Sequence, residues 1–180
     1  MKLGWIYTFA PMAKLHKVYL LTGGNLGNRI ANLEAAARLI DERIGRVGKK
    51  SSYYETEAWG EVDQPPYINQ ALELSTTLKP LDILHRIWEI EEELGRVRRN
   101  KWEARSIDID ILFYDHLVID KPELKVPHPL LHKRNFVLIP MLEIAATKRH
   151  PLFRKTIEEL YMESTDSLEV IMLDASALPV

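Results

Sequence analysis

Cysteine is absent from the 180-residue sequence. Its absence excludes a disulfide scaffold, a cysteine-ligated zinc or iron–sulfur centre and a cysteine nucleophile, and it favours the reducing cytoplasm as the compartment. Glycine and proline are also few, with 8 and 10 residues, while 46% of the residues are hydrophobic. This composition excludes a fibrous repeat and a disordered chain, and it predicts a globular protein with a sizeable core.

A strong net charge and long apolar runs are missing as well. The 24 basic and 26 acidic residues give a formal net charge of -2, so no overall field attracts nucleic acid or an anionic membrane, and any anion site must be local. No stretch approaches the ~18 apolar residues that a membrane span needs. The first residues are too short and too aromatic for a secretory signal. We therefore expect residues 1–16 to be an appendage and residues 17–180 to form a single domain.

From Lys17 onward, hydrophobic periodicity predicts the element order βαββαβ. The strands are expected at 18–21, 47–56, 66–77 and 107–113, with helices beginning after Asn28 and at Pro80. That order is typical of the α+β, ferredoxin-like split βαβ arrangement, in which two helices lie on one face of an antiparallel sheet. We expect the other face to be open and the residues after 115 to form a C-terminal helical extension.

The sharpest local feature is the alternation of isoleucine and aspartate over 107–111. Because side chains alternate along a strand, the isoleucines are expected to face the helices while Asp108 and Asp110 project from the other face, roughly 7 Å apart. Two carboxylates in that position repel each other unless a cation lies between them, and Mg²⁺ is a natural candidate. A solvated polar strand face is the alternative explanation.

A group of basic residues lies just before this strand. It comprises Arg96, Arg98, Arg99, Lys101 and Arg105. Arginine forks chelate phosphate oxygens, so this group beside two carboxylates favours a metal-bound polyphosphate. The alternative is that the glutamates at 91–93 pair with these cations in a solvated charge run. Trp102 and the preceding Gly95 indicate a mobile loop that carries an aromatic side chain.

Other polar residues give weaker signals. His128 is better suited to a phosphate contact than to a zinc site with His132, because no metalloprotease motif surrounds the pair. Tyr67 and Asn69 share one strand face, where an aromatic ring and an amide can stack on and hydrogen-bond a flat heterocycle, although each is also an ordinary strand residue. The connection at 59–65 is a candidate binding loop.

Taken in order, these motifs resemble the 6-hydroxymethyl-7,8-dihydropterin pyrophosphokinase family over residues 17–145. The matching stretches are 23–28, 54–56, 64–69, 95–98, 105–111 and 126–129, together with Trp102. The sequence departs from the usual family pattern at Gly24, Glu103, Glu123 and Lys125, and no role is transferred to these positions.

The resemblance implies a role for each matching residue. It implies that Asp108 and Asp110 bind two Mg²⁺ ions and act in catalysis together with Arg98 and Arg105. The implied ATP-binding residues are Arg98, Trp102, Arg105, Ile111, His128 and Arg134. The implied pterin-binding residues are Thr56, Trp59, Tyr67, Asn69 and Phe136.

The reaction implied by the resemblance transfers the β,γ-diphosphate of ATP to the pterin hydroxymethyl oxygen and releases AMP, in folate biosynthesis. The expected partners are these two small molecules, with no nucleic acid, membrane or obligate protein partner. The sequence identifies no dedicated general base, and both Asp110 and metal polarisation of the hydroxyl remain open. Two alternatives are a Mg²⁺-dependent nucleotidyltransferase, which attacks the α-phosphorus, and a non-enzymatic ferredoxin-like binding module.

Overall fold

The computed structural model describes residues 13–58, 64–96 and 104–174. The strands are β1 His16–Gly24, β2 Arg46–Lys50, β3 Tyr54–Thr56, β4 Tyr67–Thr76, β5 Asp108–Tyr114, β6 Ile119–Asp120, β7 Lys125–Val126 and β8 Val170–Met172. The α-helices are α1 Arg29–Arg43, α2 Pro80–Glu93, α3 Asn135–Ala145 and α4 Ile157–Met162, and a short 3-10 helix covers Leu131–Lys133. Within these ranges, no helix has the length and apolar character needed to cross a membrane.

The main sheet is antiparallel, in the order β5-β1-β4-β3-β8, and β2 also pairs with β4. The predicted strand at 47–56 is therefore two short strands on the same edge of β4. Ser51 interrupts them, because its hydroxyl accepts a hydrogen bond from the Ala71 amide at 2.9 Å in place of a backbone carbonyl. The predicted α+β class and ferredoxin-like order are confirmed.

The helices α1 and α2 lie on one face of the sheet, as predicted. Asn28 caps α1, since its side-chain oxygen accepts a hydrogen bond from the Ala31 amide at 3.1 Å. Apolar residues at helical spacing, among them Leu33, Ile40 and Ile87, then form a buried cluster with the sheet residues that face them. Burial of this stripe stabilises the helices more than their local propensity does.

The prediction that the second face of the sheet is open is wrong for half of that face. A second apolar cluster joins α3 and α4 to this side, with Leu138 and Met141 of α3 buried in the same cluster as Leu21, Ala71 and Phe113. These strand residues are apolar, and burying them against a helix removes that surface from water. Farther along the same face the strand residues are polar, and that half forms a cleft.

Candidate active site

The strand register brings the predicted site residues together on the uncovered half of the face. Gly23 of the central strand β1 pairs with Asn69 on one side and with Asp108 on the other, and Leu21 pairs with Asp110. Directly opposed side chains in an antiparallel sheet point to the same face, so all of these residues share it. A Cβ atom at position 23 would lie 2.5 Å from the Asn69 side-chain oxygen, which explains the need for glycine.

Most of the predicted site residues line this one cleft. They are Thr56, Tyr67, Asn69, Arg105, Asp108, Asp110, Arg134 and Phe136. Trp59, Arg98 and Trp102, with most of the predicted mobile loop, lie outside the described residues.

Two predicted residues that the structure describes, His128 and Ile111, are not among those that line the cleft. Ile111 points away from it. Its side chain is 5% exposed and packs in the core beneath α1 and α2, because alternation along β5 turns it away from the face that Asp110 occupies. The contact with ATP that the sequence predicts for Ile111 therefore cannot come from its side chain at the cleft.

One side of the cleft combines aromatic rings with a fixed amide. The Asn69 amide nitrogen donates a hydrogen bond to the Thr56 hydroxyl at 3.3 Å, and both side chains are buried. The Tyr67 hydroxyl donates to the Gln64 side-chain oxygen at 3.3 Å, and burial raises the pKa of Tyr67. Phe136 faces this pocket from the start of α3. These groups can stack on a flat ring and hydrogen-bond its edge.

The other side of the cleft is charged. Asp108 accepts hydrogen bonds from two guanidinium groups, Arg96 at 2.5 Å and Arg105 at 2.7 Å. Burial and, to a smaller extent, the neighbouring Asp108 carboxylate together raise the pKa of Asp110 to about 7, although Arg134 opposes the shift. When Asp110 is ionised its charge is therefore poorly compensated, whereas Asp108 is held by two cations.

Arg134 lines the charged side of the cleft, and His128 lies close enough to interact electrostatically with Arg134 and Asp108. The His128 amide donates to the Leu112 carbonyl at 3.1 Å, which fixes the loop after β7 against β5. Burial and, to a smaller extent, the Arg134 guanidinium together lower the pKa of His128 to about 4, so the imidazole is neutral near pH 7. Burial also lowers the pKa of Arg134, with Asp110 and Asp108 opposing that change.

Glu91 was considered only in the alternative explanation, in which glutamates 91–93 pair with the cations in a solvated charge run. Its pairing with a cation is observed, but the residue is buried rather than solvated. Glu91 is 2% exposed, pairs with Arg96, and accepts a hydrogen bond from the Ile109 amide at 2.9 Å. Glu91 therefore fixes both Arg96 and the backbone between the two aspartates. Its position four residues after Ile87, on the buried stripe of α2, is the signal that could have identified it.

Asn25 is a second residue that the sequence analysis missed. It is 3% exposed, and its side-chain oxygen accepts a hydrogen bond from the Arg105 amide at 2.8 Å. Its side-chain nitrogen donates to the Gln64 side chain at 3.3 Å and to the Pro65 carbonyl at 3.1 Å. Asn25 therefore joins the loop on the aromatic side of the cleft to the loop on the charged side. No sequence pattern indicated this contact.

The carboxylate pair fits a hard divalent cation that brings other oxygen ligands with it. Among the residues that the structure describes, no group of three or more His, Cys, Asp or Glu side chains is placed to bind a metal. Mg²⁺ needs only one or two carboxylates when water and phosphate oxygens supply the rest. Burial of its negative charge raises the pKa of Asp110, and a cation between Asp108 and Asp110 would compensate that charge.

A carboxylate pair among guanidinium groups, beside an aromatic pocket on a ferredoxin-like sheet, is typical of an enzyme that transfers phosphate groups. A family model described as 7,8-dihydro-6-hydroxymethylpterin-pyrophosphokinase (HPPK) matches residues 19–146. The chain belongs to this family, which confirms the predicted enzyme class, a pyrophosphokinase.

Curated relatives agree with the family assignment. The chain is 43% identical over 148 residues to the 2-amino-4-hydroxy-6-hydroxymethyldihydropteridine pyrophosphokinase of Aquifex aeolicus, covering 82% of this chain and 92% of the relative. It is 40% identical over 127 residues to the Bacillus subtilis enzyme of the same name, covering 70% and 76%.

A solved structure has a similar fold. It is a triple mutant of HPPK-DHPS from Plasmodium falciparum, with a TM-score of 0.70 and 18% sequence identity. The match covers 86% of this chain and 44% of that longer chain. At this identity the likeness concerns the fold, and it supports the ferredoxin-like architecture.

Proposed function

We propose that the protein transfers the β,γ-diphosphate of ATP to the hydroxymethyl group of 6-hydroxymethyl-7,8-dihydropterin and releases AMP, a step of folate biosynthesis. The observation that carries this proposal is the register at Gly23, which puts Asn69 and Asp108 on either side of one strand position. A heterocycle bound at the amide would lie beside phosphates bound at the carboxylates. Holding two reactants in this way supplies much of the rate enhancement in phosphoryl transfer.

On the aromatic side, Tyr67 and Phe136 would bind the two faces of the pterin ring. Asn69, oriented by its hydrogen bond to Thr56, would recognise the polar edge of the ring. The amide is fixed before the substrate arrives, so little conformational entropy is lost on binding. We also assign Trp59 to this pocket, as the family resemblance implies.

On the charged side, Arg105 would bind ATP phosphates, with Arg98, His128, Arg134 and Trp102 as further nucleotide contacts. Arg105 pairs with Asp108 at 2.7 Å, so a polyphosphate would compete with that carboxylate for the guanidinium group. Arginine bound to phosphate neutralises the charge that develops during transfer. Neutral His128 can donate one hydrogen bond to a phosphate oxygen without adding charge.

Asp108 and Asp110 would hold Mg²⁺, which when bound neutralises phosphate charge and makes the β-phosphorus a better electrophile. The pterin hydroxymethyl oxygen loses its proton, to Asp110 or to water, and forms a bond to the β-phosphorus. The bond from that phosphorus to the oxygen bridging to the α-phosphate breaks, and AMP leaves. We expect the bound substrates to exclude water as a competing nucleophile. We further expect the reaction to take place in the cytoplasm, without an obligate protein partner.

Product analysis tests this proposal directly. The protein is incubated with Mg-ATP and 6-hydroxymethyl-7,8-dihydropterin, and phosphorus NMR and chromatography identify both products. We expect AMP and the pterin diphosphate in equal amounts, and intact ATP when the pterin is omitted. Pyrophosphate release would instead support the nucleotidyltransferase alternative, and ADP would indicate transfer of a single phosphate. Binding without any product would support the non-enzymatic alternative.

A further inference from the structure

The segment 164–174 follows the part of the chain that the family model matches, which ends at residue 146. It nevertheless contacts two separate walls of the cleft. At one end its strand β8 pairs with β3, with Val170 opposite Thr56. Because Thr56 holds the Asn69 amide, this pairing supports the aromatic side of the cleft from the edge of the sheet.

The other contact is with the beginning of α3. This helix has no side-chain cap of its own, and its first turn contains no acidic residue. Instead, the Asn135 amide donates a hydrogen bond to the Asp166 carboxylate at 2.7 Å, and the Asn135 side-chain nitrogen donates to the Asp166 carbonyl at 2.8 Å. The first amides of a helix lack partners within it, and a carboxylate at this end stabilises the helix.

This cap lies between two cleft residues. Arg134 and Phe136 directly flank Asn135, and both line the cleft. Asp166 is itself oriented, since its second carboxylate oxygen accepts a hydrogen bond from the Leu168 amide at 3.1 Å. Loss of the cap would allow the first turn of α3 to fray, and that turn carries Phe136.

We infer that Asp166 is a positioning residue for the pterin pocket. From the C-terminal segment it caps α3 and thereby holds Phe136 in the cleft that Thr56 and Asn69 also line. The inference rests on the proposed function, in which this pocket binds the pterin. It adds a residue outside the family match that acts on the site through Asn135.

The test compares Asp166→Ala and Asp166→Asn with the wild-type chain. Asparagine keeps an acceptor oxygen for the Asn135 amide, whereas alanine removes it. Glu169→Gln is the matched control, because it removes an exposed carboxylate three residues away. Binding of 6-hydroxymethyl-7,8-dihydropterin is measured with α,β-methylene-ATP, which blocks the reaction, and hydrogen exchange is followed at the amides of residues 135–138. Steady-state kinetics give KM and kcat.

We expect Asp166→Ala to weaken pterin binding and to speed exchange at 135–138 by about tenfold each, from the loss of one cap. The KM for the pterin should rise by the same factor while kcat changes less than about twofold. Asp166→Asn should keep pterin affinity and exchange rates close to those of the wild type, and Glu169→Gln should match the wild type.

Faster exchange with unchanged pterin affinity would overturn the inference, because the cap would then be structural only. Unchanged exchange in Asp166→Ala would overturn it as well. A wild-type protein that does not bind the pterin would refute the proposed function itself, and with it the inference. The two failures are therefore distinguished by the wild-type measurement alone.

Discussion

Asp110→Asn gives the sharpest test of the electrostatics at the cleft. Burial and the neighbouring Asp108 raise the pKa of Asp110 from an ordinary value of 3.8 to about 7 in the folded protein. The folded state therefore holds the Asp110 proton over a pH range in which the unfolded chain has released it. Asparagine has nearly the same shape as protonated aspartate and does not titrate.

The sign of the pH dependence follows from this proton. Between pH 4 and about 7 the folded state binds more protons than the unfolded state, so the stability of the metal-free protein falls as pH rises through this range. Each pKa unit corresponds to ~1.4 kcal/mol, so the unfolding free energy would fall by about 4 kcal/mol over this pH range if the site did not relax. Relaxation and water entry reduce it, and we expect about 2–4 kcal/mol.

The assay is urea denaturation in the presence of EDTA at pH 5 and pH 8. Relative to the wild type, Asp110→Asn should gain about 2 kcal/mol or more in unfolding free energy between the two pH values. Asp82→Asn, which removes an exposed carboxylate on α2, should show no such gain. If the difference in unfolding free energy between Asp110→Asn and the wild type is the same at both pH values, Asp110 does not carry the buried charge and the reasoning is refuted.

Two further predictions concern the residues that fix the cleft. Asn25→Asp keeps the acceptor for the Arg105 amide but loses the donor to the Pro65 carbonyl, so the KM for the pterin should rise about tenfold in steady-state kinetics. An unchanged KM would show that Asn25 does not join the two loops. Glu91→Gln weakens the buried pair with Arg96 and should remove about 3 kcal/mol of unfolding free energy. Chemical denaturation measures this loss, and a variant as stable as the wild type would mean that the pair has no net effect.

Several features of the protein could be predicted from the sequence because they depend on local periodicity. The apolar residues at helical spacing in α1 and α2 determine which side of each helix is buried. Alternation along β5 puts Asp108 and Asp110 on the same face of the sheet. The same alternation already placed the Ile111 side chain on the opposite face. The nucleotide contact that the family resemblance implies for Ile111 would therefore have to come from its backbone.

Tertiary structure alone decided the shape of the cleft and the contacts that hold it. The half-covered face depends on where α3 packs, and Asn25 meets Arg105 across 80 residues of chain. Asp166 caps α3 from 31 residues away. The physical reason is that a hydrogen bond between distant residues leaves no periodic trace in the sequence, because each partner needs only one suitable atom at one position. Apolar periodicity, in contrast, is repeated at every turn or every second residue of an element and can be recognised before the chain is folded.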